Sequence, residues 1–531
     1  MPTDFISFRK TGYFSSLICD YLDEKSPLKP FYSHFPSLEN FKFQMEEKKQ
    51  SFQNKTRTTL VSVLTKQYQS LDASKLTLEN INRLQSENTF TITTGHQLNL
   101  FTGPLYFLYK IVSTINLSKT LKNEHPEFDF VPIYWMATED HDFEEINFFN
   151  FKGKKIRWNR KSKGAVGDLS TEDLEPVFEL FSKDLGGSAN AEYIKSLFKK
   201  SYLEHDNLAE ATRFLANELF QDHGLVILDA HDPELKKQFI PFMEEELLHQ
   251  TSFNTVTETS KALLKEGYTA QVNPREINLF YLDDHLRERI VFEDNFYKVL
   301  NTKLSWSKSE MLKHLHDKPE RFSPNVIMRP LYQEVILPNL CYIGGGGELA
   351  YWFQLKDYFN NVKIPFPVLL LRNSALIETK KQNEKLQNLS ISNEDLFLKH
   401  NAFINKKVRE ISNIDIDFSK QKAHLKQQFN HIYELAEQTD ASFIGAVKAQ
   451  ETKQLKGLEH LEKRLLTAQK RKLSDQVLRM TDLQNELFPN QSLQERNANF
   501  SEFYLEHGSR LVPTLIENLN PLNQAFVIIK L

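Results

Sequence analysis

At 531 residues the chain has room for more than one core, since a single core rarely grows past about 250–300 residues. Its apolar and charged fractions, 40% and 26%, are those of a globular protein, and a formal charge of −4 removes any global pull toward nucleic acid or an anionic membrane. No apolar run approaches the ~20 residues of a bilayer span, the opening Met1-Pro-Thr-Asp-Phe5 lacks the character of a signal peptide, and two cysteines, Cys19 and Cys341, make neither a disulfide framework nor a Cys-x-x-Cys zinc site. The expectation is a cytoplasmic protein without zinc, membrane contact or nucleic-acid partner.

Residues 1 to about 88 read as helical, with Lys42–Gln53 and Thr59–Leu71 as amphipathic pieces. Phe90–Thr94 is short, apolar and β-branched, a buried strand that Gly95 ends. Pro104 stands where a helix would begin, Leu105–Leu121 carries apolar residues at helical spacing, and Val131–Ala137 reads as the next strand. Strand, loop, helix, strand is a βαβ unit, which predicts a parallel pair with a right-handed crossover. Helical runs follow at Leu174–Leu185, Ala191–Leu203 and Ala209–Asp222. Gly224–Asp229 is another buried strand, and Asp232-Pro233 caps a helix over Glu234–Leu248 that Pro241 should kink.

From Thr269 to Leu300 the spacing predicts an antiparallel insertion of four short strands, Thr269–Val272, Asn278–Leu282, Glu288–Phe292 and Phe296–Leu300. The parallel pattern resumes at Cys341–Ile343 and Phe366–Leu371. The fold class is therefore α/β: a parallel-sheet core over residues 1–384, with insertions near 148–220 and 265–330. Residues 385–500 become long, polar and helical. Leu425, Phe429, Ile432 and Leu435, then Leu458, Leu461, Leu465 and Ala468, keep coiled-coil spacing on either side of a turn at Thr439–Gly445. An antiparallel coiled-coil arm that pairs two copies of the chain is expected, with 501–531 returning to the core through a strand at Phe526–Leu531. The 41 phenylalanines are taken as core filling.

In parallel sheets of this kind ligands bind beyond the carboxyl ends of the strands. Three segments fall there. Gly95, His96, Gln97, Asn99, Thr102 and Gly103 bring backbone amides and small polar groups to a strand-to-helix junction, where free N–H groups attract anions; class I aminoacyl-tRNA synthetases place a similar His-and-Gly loop against ATP. Glu139, Asp140, His141 and Asp142, with Glu144 and Glu145 behind them, gather carboxylates around an imidazole, suited to an ammonium group, a magnesium ion or proton relay. Gly344, Gly345, Gly346 and Gly347, followed by Glu348, let a backbone approach a ligand closely in a chain with only 17 glycines. Arg329 and Arg372, the latter beside Asn373, add guanidinium groups that fit carboxylate or phosphate. His125, His223 and His231 read as loop or cap residues.

Leu100-Phe-Thr-Gly-Pro-Leu-Tyr106, Tyr134-Trp-Met-Ala-Thr-Glu-Asp-His-Asp-Phe-Glu-Glu-Ile-Asn147, Arg321-Phe-Ser-Pro-Asn-Val326 with Arg329-Pro-Leu331, and Gly347-Glu-Leu-Ala-Tyr-Trp352 together resemble the bacillithiol biosynthesis cysteine-adding enzymes. The sequence departs from that family at His96, where many members carry glutamine, and at the all-glycine loop, where some carry proline. The resemblance implies a Rossmann-like core related to class I synthetases, two connecting-peptide insertions and a coiled-coil arm. It implies amide-bond formation between L-cysteine and glucosaminyl malate; the expected cofactor is ATP/ADP, with the cysteine carboxylate activated as an adenylate or an acyl phosphate and magnesium as an optional companion of the nucleotide. On this reading Glu139–Asp142 are catalytic, and the two glycine loops with Arg372 and Asn373 bind substrate or nucleotide. Two other readings compete: an inactive synthetase-like scaffold, and an RNA-binding protein using the basic stretch between Lys448 and Arg479 of the arm.

Overall fold

The computed structural model describes residues 3–531. Five parallel strands make the central sheet: β1 (Thr89–His96), β2 (Asp129–Met136), β3 (Val226–Asp229), β4 (Asn339–Gly344) and β5 (Val368–Leu371). Their order across the sheet is β3-β2-β1-β4-β5. Every neighbouring pair is parallel, as the βαβ reading required. Connections run outward from β1 in both directions, so the switch point of this Rossmann-like sheet lies between β1 and β4. That is where a crevice opens at the carboxyl ends of the strands.

The strands read as apolar runs because both faces are covered. All eight residues of β1 are buried. Phe90 and Ile92 of β1, Leu117 and Leu121 of helix α1 (Tyr106–Glu124), Phe41 and Met45 of the earlier helix Leu38–Ser51, and Ile343 and Leu370 share one core cluster. Helix α2 (Pro233–His249) starts as predicted, with the Asp232 side chain accepting from the Glu234 amide and Pro241 inside it. Helices α3 (Arg329–Ile336) and α4 (Gly346–Trp352) flank β4 in sequence.

Three expectations are corrected. Residues before 88 are not all helical: Thr3–Ser7 is a strand, antiparallel to Ala525–Lys530. Its partner lies at the far end of the chain, so no local signal marks it. Thr269–Val272 is not a strand either. The amides of Gln271 and Val272 donate to the Gln354 side chain, at 2.8 and 3.0 Å, which satisfies them without a ladder. The insertion's sheet consists instead of Leu279–Asp283, Leu286–Glu293, Phe296–Val299, Ser305–Trp306 and Phe322–Pro324. In the arm, the turn is shorter than Thr439–Gly445: helix α5 (Ser419–Ala436) ends before it and α6 (Ala441–Lys472) already contains Gly445, because Asp440 caps the amides of Ser442 and Phe443.

The described chain up to Leu376, with Gln494–Ile529, is one compact unit, and Ile377–Leu493 is the body of a second. Within the second, α5 and α6 close on each other through Phe429, Ala436 and Val447, with Tyr433 donating to Glu451 at 2.9 Å.

Candidate functional site

The loop after β1 is held in a conformation that L-residues avoid. Phe101, Thr102 and Gly103 have φ of 47°, 65° and 61°. A Cβ on Gly103 would sit 2.6 Å from that of Asn99, so glycine is required there. Such strain persists only where surroundings over-determine it. Here the Phe101 ring is buried among Phe149, Phe181, Phe198 and Phe500, and Asn499 donates to the carbonyls of Phe101 and Gly103 at 2.8 and 2.6 Å.

The clamped loop leaves buried polar atoms without partners. Among the described residues, His96 Nε2, Asn99 Oδ1, Thr102 Oγ1 and, beyond β5, Arg372 Nε have no hydrogen-bond partner. Buried polar groups are nearly always paired, so each of these atoms calls for a partner, an ordered water or a ligand atom. Gln97, Asn99, Gly103 and Tyr106 line a cleft of about 260 Å³ together with Glu145, Phe149, Asn150 and Arg496. Burial, with Lys110 nearby, drives the His96 pKa down to about 3, so its imidazole is neutral at physiological pH.

The acidic segment after β2 divides in two. Glu139 and Asp140 are half-buried and engaged, whereas His141, Asp142, Glu144 and Glu145 are exposed. Lys236 of α2, fully buried, lies 2.6 Å from Glu139, and His231 Nδ1 lies 2.9 Å from the same oxygen. Burial alone would raise the Glu139 pKa, but Lys236 and His231 outweigh it and hold the carboxyl at about 2. Asp140 accepts from Gln97 Nε2 at 3.0 Å and from the His141 amide at 2.8 Å. Arg287, from the insertion's sheet, lies 4.0 Å from Asp140 and 2.8 Å from His141 Nδ1. Asp142 precedes the short helix Phe143–Ile146 without a capping bond, and Glu144 pairs with Arg157.

A pH experiment follows from Glu139. Its folded pKa lies below the ordinary 4.5, so its contribution to stability is complete above 4.5 and is lost as pH falls toward 2. Glu139→Gln strands the buried Lys236 charge and should lower the urea midpoint at pH 7. The gap to wild type should stay nearly constant from pH 7 to pH 5 and narrow from pH 5 to pH 3, as the unfolded chain's carboxyl takes up a proton that the folded one still refuses. A gap independent of pH would mean that the charge of Glu139 contributes nothing.

At the switch point, Lys110 of α1 is 4% exposed at its side chain and donates to the Gly95 carbonyl at 2.7 Å and to Glu348 at 2.6 Å. Glu348 also accepts from the Gly345 amide and from Tyr342, at 2.8 and 2.7 Å. The four glycines differ in role. A Cβ on Gly344 would press on Tyr342 and Leu349 at 2.9 Å, whereas Gly347 faces open space. Arg372 is paired with Glu495 at 2.7 Å and lies over the Tyr106 ring. Asn373 bonds Ser113 and the Asn520 carbonyl.

The structure thus brings Gly95, His96, Gln97, Asn99, Asp140, Glu145 and Glu348 to the carboxyl edge of β1, β2 and β4. Sequence reading missed Lys110, Lys236, Arg287 and Glu495, and took His231 for a cap. Only Lys110 carried a local signal: a lone cation in an apolar helical run directly after the glycine loop.

A parallel sheet in this order, with a strained loop at its switch point and a separate helical hairpin, defines a Rossmann-like α/β protein with a coiled-coil unit. Residues 1–373 match the family described as "Bacillithiol biosynthesis BshC, N-terminal Rossmann-like domain", and residues 375–531 match "Bacillithiol biosynthesis BshC, C-terminal coiled-coil domain". The chain belongs to the bacillithiol biosynthesis BshC family. Proteins from Christiangramia forsetii and Flavobacterium johnsoniae, each named "Putative cysteine ligase BshC", are 61% and 62% identical to it; the alignments cover 100% of this chain and 99% and 100% of theirs. A protein of the same name from Bacillus mycoides is 28% identical over 94% of this chain and 95% of its own.

Proposed function

We propose that this protein joins L-cysteine to glucosaminyl malate, using ATP to activate the cysteine carboxylate. The relatives' name and full-length similarity support the ligase and the cysteine. The observation that carries the site is the cleft after β1, lined by Gln97, Asn99 and Gly103, with Asn99 Oδ1 unpartnered and His96 Nε2 and Thr102 Oγ1 of the same loop likewise unpartnered. A carboxylate oxygen of cysteine attacks a phosphorus of ATP, releasing pyrophosphate or ADP. The sugar amine then attacks the activated carbonyl, and AMP or phosphate leaves. The loop from Gly95 to Gly103 would face the anionic groups, with magnesium accompanying the nucleotide. Asp140, ionised and open to the crevice, would meet an ammonium group. Glu139 is matched by Lys236 and His231, so its role would be to hold that wall and tune it. Incubation with cysteine, glucosaminyl malate and ATP should yield bacillithiol by mass spectrometry; a folded protein that forms none across a range of nucleotides would overturn the reading.

We also propose that the arm pairs two copies of the chain in the cytoplasm. Among the described residues no helix is long and apolar enough to cross a membrane. Seam positions that α5 and α6 do not cover on each other support the pairing: Leu435 is 62% exposed and Leu461 52%. Light scattering at micromolar concentration should give the mass of a dimer, and Leu435→Glu should reduce it. A monomeric wild type would refute the arrangement.

A further inference from the structure

The charges that meet at the switch point do not cancel. Lys110 has Glu348, and Arg372 has Glu495. Arg329, the first residue of α3, has no carboxylate of its own among the described residues. Glu348 is the acidic group acting on it, but that carboxylate already serves Lys110, the Gly345 amide and Tyr342. Two cations, Lys110 and Arg329, therefore share one anion.

The Arg329 guanidinium is held in place by neutral groups. One N–H donates to Gln333 Oε1 at 3.1 Å and another to Tyr351 Oη at 3.2 Å. It lies over the rings of Trp135, 5.9 Å away, and Tyr342, 5.5 Å away. Gln333 is itself oriented, since its amide nitrogen donates to Glu334, which in turn pairs with the buried Lys48. A guanidinium has five N–H donors, so three remain. The group also sits where strand β1 ends: a Cβ on Gly95 would lie 3.8 Å from Arg329 Nη1 and 3.3 Å from Tyr342 Oη. Glycine at 95 keeps that approach clear.

We infer that Arg329 is the oxyanion anchor of the site, receiving a carboxylate or phosphate of a substrate on its unused N–H groups. A fixed, partly desolvated guanidinium with spare donors binds planar or tetrahedral oxyanions in paired hydrogen bonds, and its unmatched charge is neutralised only when such a group arrives. The inference deepens the ligase reading, whose substrates supply both chemistries: phosphate on ATP, carboxylate on cysteine and on glucosaminyl malate.

The test is calorimetric titration of wild type, Arg329→Gln and Arg329→Lys with ATP, L-cysteine and glucosaminyl malate separately. In Arg329→Gln the affinity for one of the three should fall about 10-fold or more, with the others within about 2-fold. Arg329→Lys, which keeps charge but loses the fork, should recover part of the loss. The ligand affected says whether the anion is phosphate or carboxylate. The melting temperature of Arg329→Gln should hold or rise, because an incompletely matched charge has been removed. Unchanged affinity for all three in folded variants, or a wild type that binds none of them, would overturn the inference, as would a fall in melting temperature with affinities intact. Binding is read without turnover. A wild type that binds a ligand through Arg329 yet forms no bacillithiol would sink the ligase reading and leave the anchor standing.

Discussion

Arg372→Met should destabilise the Rossmann-like unit by about 3–5 kcal/mol, because it leaves the Glu495 carboxylate buried without its cation. The two side chains are 4% and 1% exposed and meet at 2.7 Å. Glu495 also accepts from Ser374 Oγ and from the Ala375 amide, so its position is fixed and cannot relax toward water. The pair ties the segment from Gln494 onward to the end of β5, 123 residues earlier in sequence. Restoring neutrality should restore stability: Arg372→Met with Glu495→Gln keeps an acceptor for Ala375 and should recover most of the loss. The four tryptophans, Trp135, Trp158, Trp306 and Trp352, all lie in this unit, so urea unfolding followed by tryptophan fluorescence reports on it directly. A single variant as stable as wild type would show that the ion pair only offsets its own desolvation. Arg372 stays a candidate for substrate contact through Nε, which has no partner, but most of its donors are already engaged.

What the sequence makes legible is what depends on neighbours in the chain. Phe90–Thr94 and Val131–Met136 are strands because apolar, β-branched runs of that length suit a sheet covered on both faces, and Gly95 and Pro104 punctuate them as expected. The glycine loops and the acidic cluster were visible for the same reason. Pairing across long separations was not. Thr3–Ser7 becomes a strand only against Ala525–Lys530, and Thr269–Val272 fails to become one only because Gln354 satisfies its amides. The site shows the same division. Glu139 looked like free negative charge, since nothing nearby in sequence says that Lys236, almost a hundred residues on, will neutralise it. Asp140 likewise meets Arg287 from the insertion. Counter-charges come from whichever helix or insertion the fold folds back, so a cluster read from a linear segment overstates its net charge. In the arm, the heptad positions were legible, but spacing alone does not say which of them face the hairpin: Phe429 is buried while Leu435 is not.

Asp140→Asn should lower turnover about 100- to 1,000-fold while costing only about 1–2 kcal/mol of stability. The side chain keeps its shape and loses its charge. Burial would raise the Asp140 pKa, but the hydrogen bonds from His141 and Gln97 and the Arg287 charge outweigh it and hold the carboxyl well below its ordinary range. It is therefore ionised wherever the enzyme works. That charge is worth most to an ammonium or a developing positive centre in the crevice, where water is partly excluded. In the folded protein alone the bonds from Gln97 and the His141 amide are ones an asparagine can accept in part, and the Arg287 contact is long at 4.0 Å. The stability cost should shrink further on acidification, because the wild-type advantage is complete above the ordinary value of 3.8 and disappears as pH falls through the lower folded pKa. Steady-state rates with each substrate varied, beside thermal melts at pH 7, separate the outcomes. If turnover falls while the melt barely moves, Asp140 acts on substrate. If the variant unfolds but its residual folded molecules remain active, the carboxylate is a structural link among Gln97, His141 and Arg287, and the ammonium must be met elsewhere, with exposed Glu145 the next candidate.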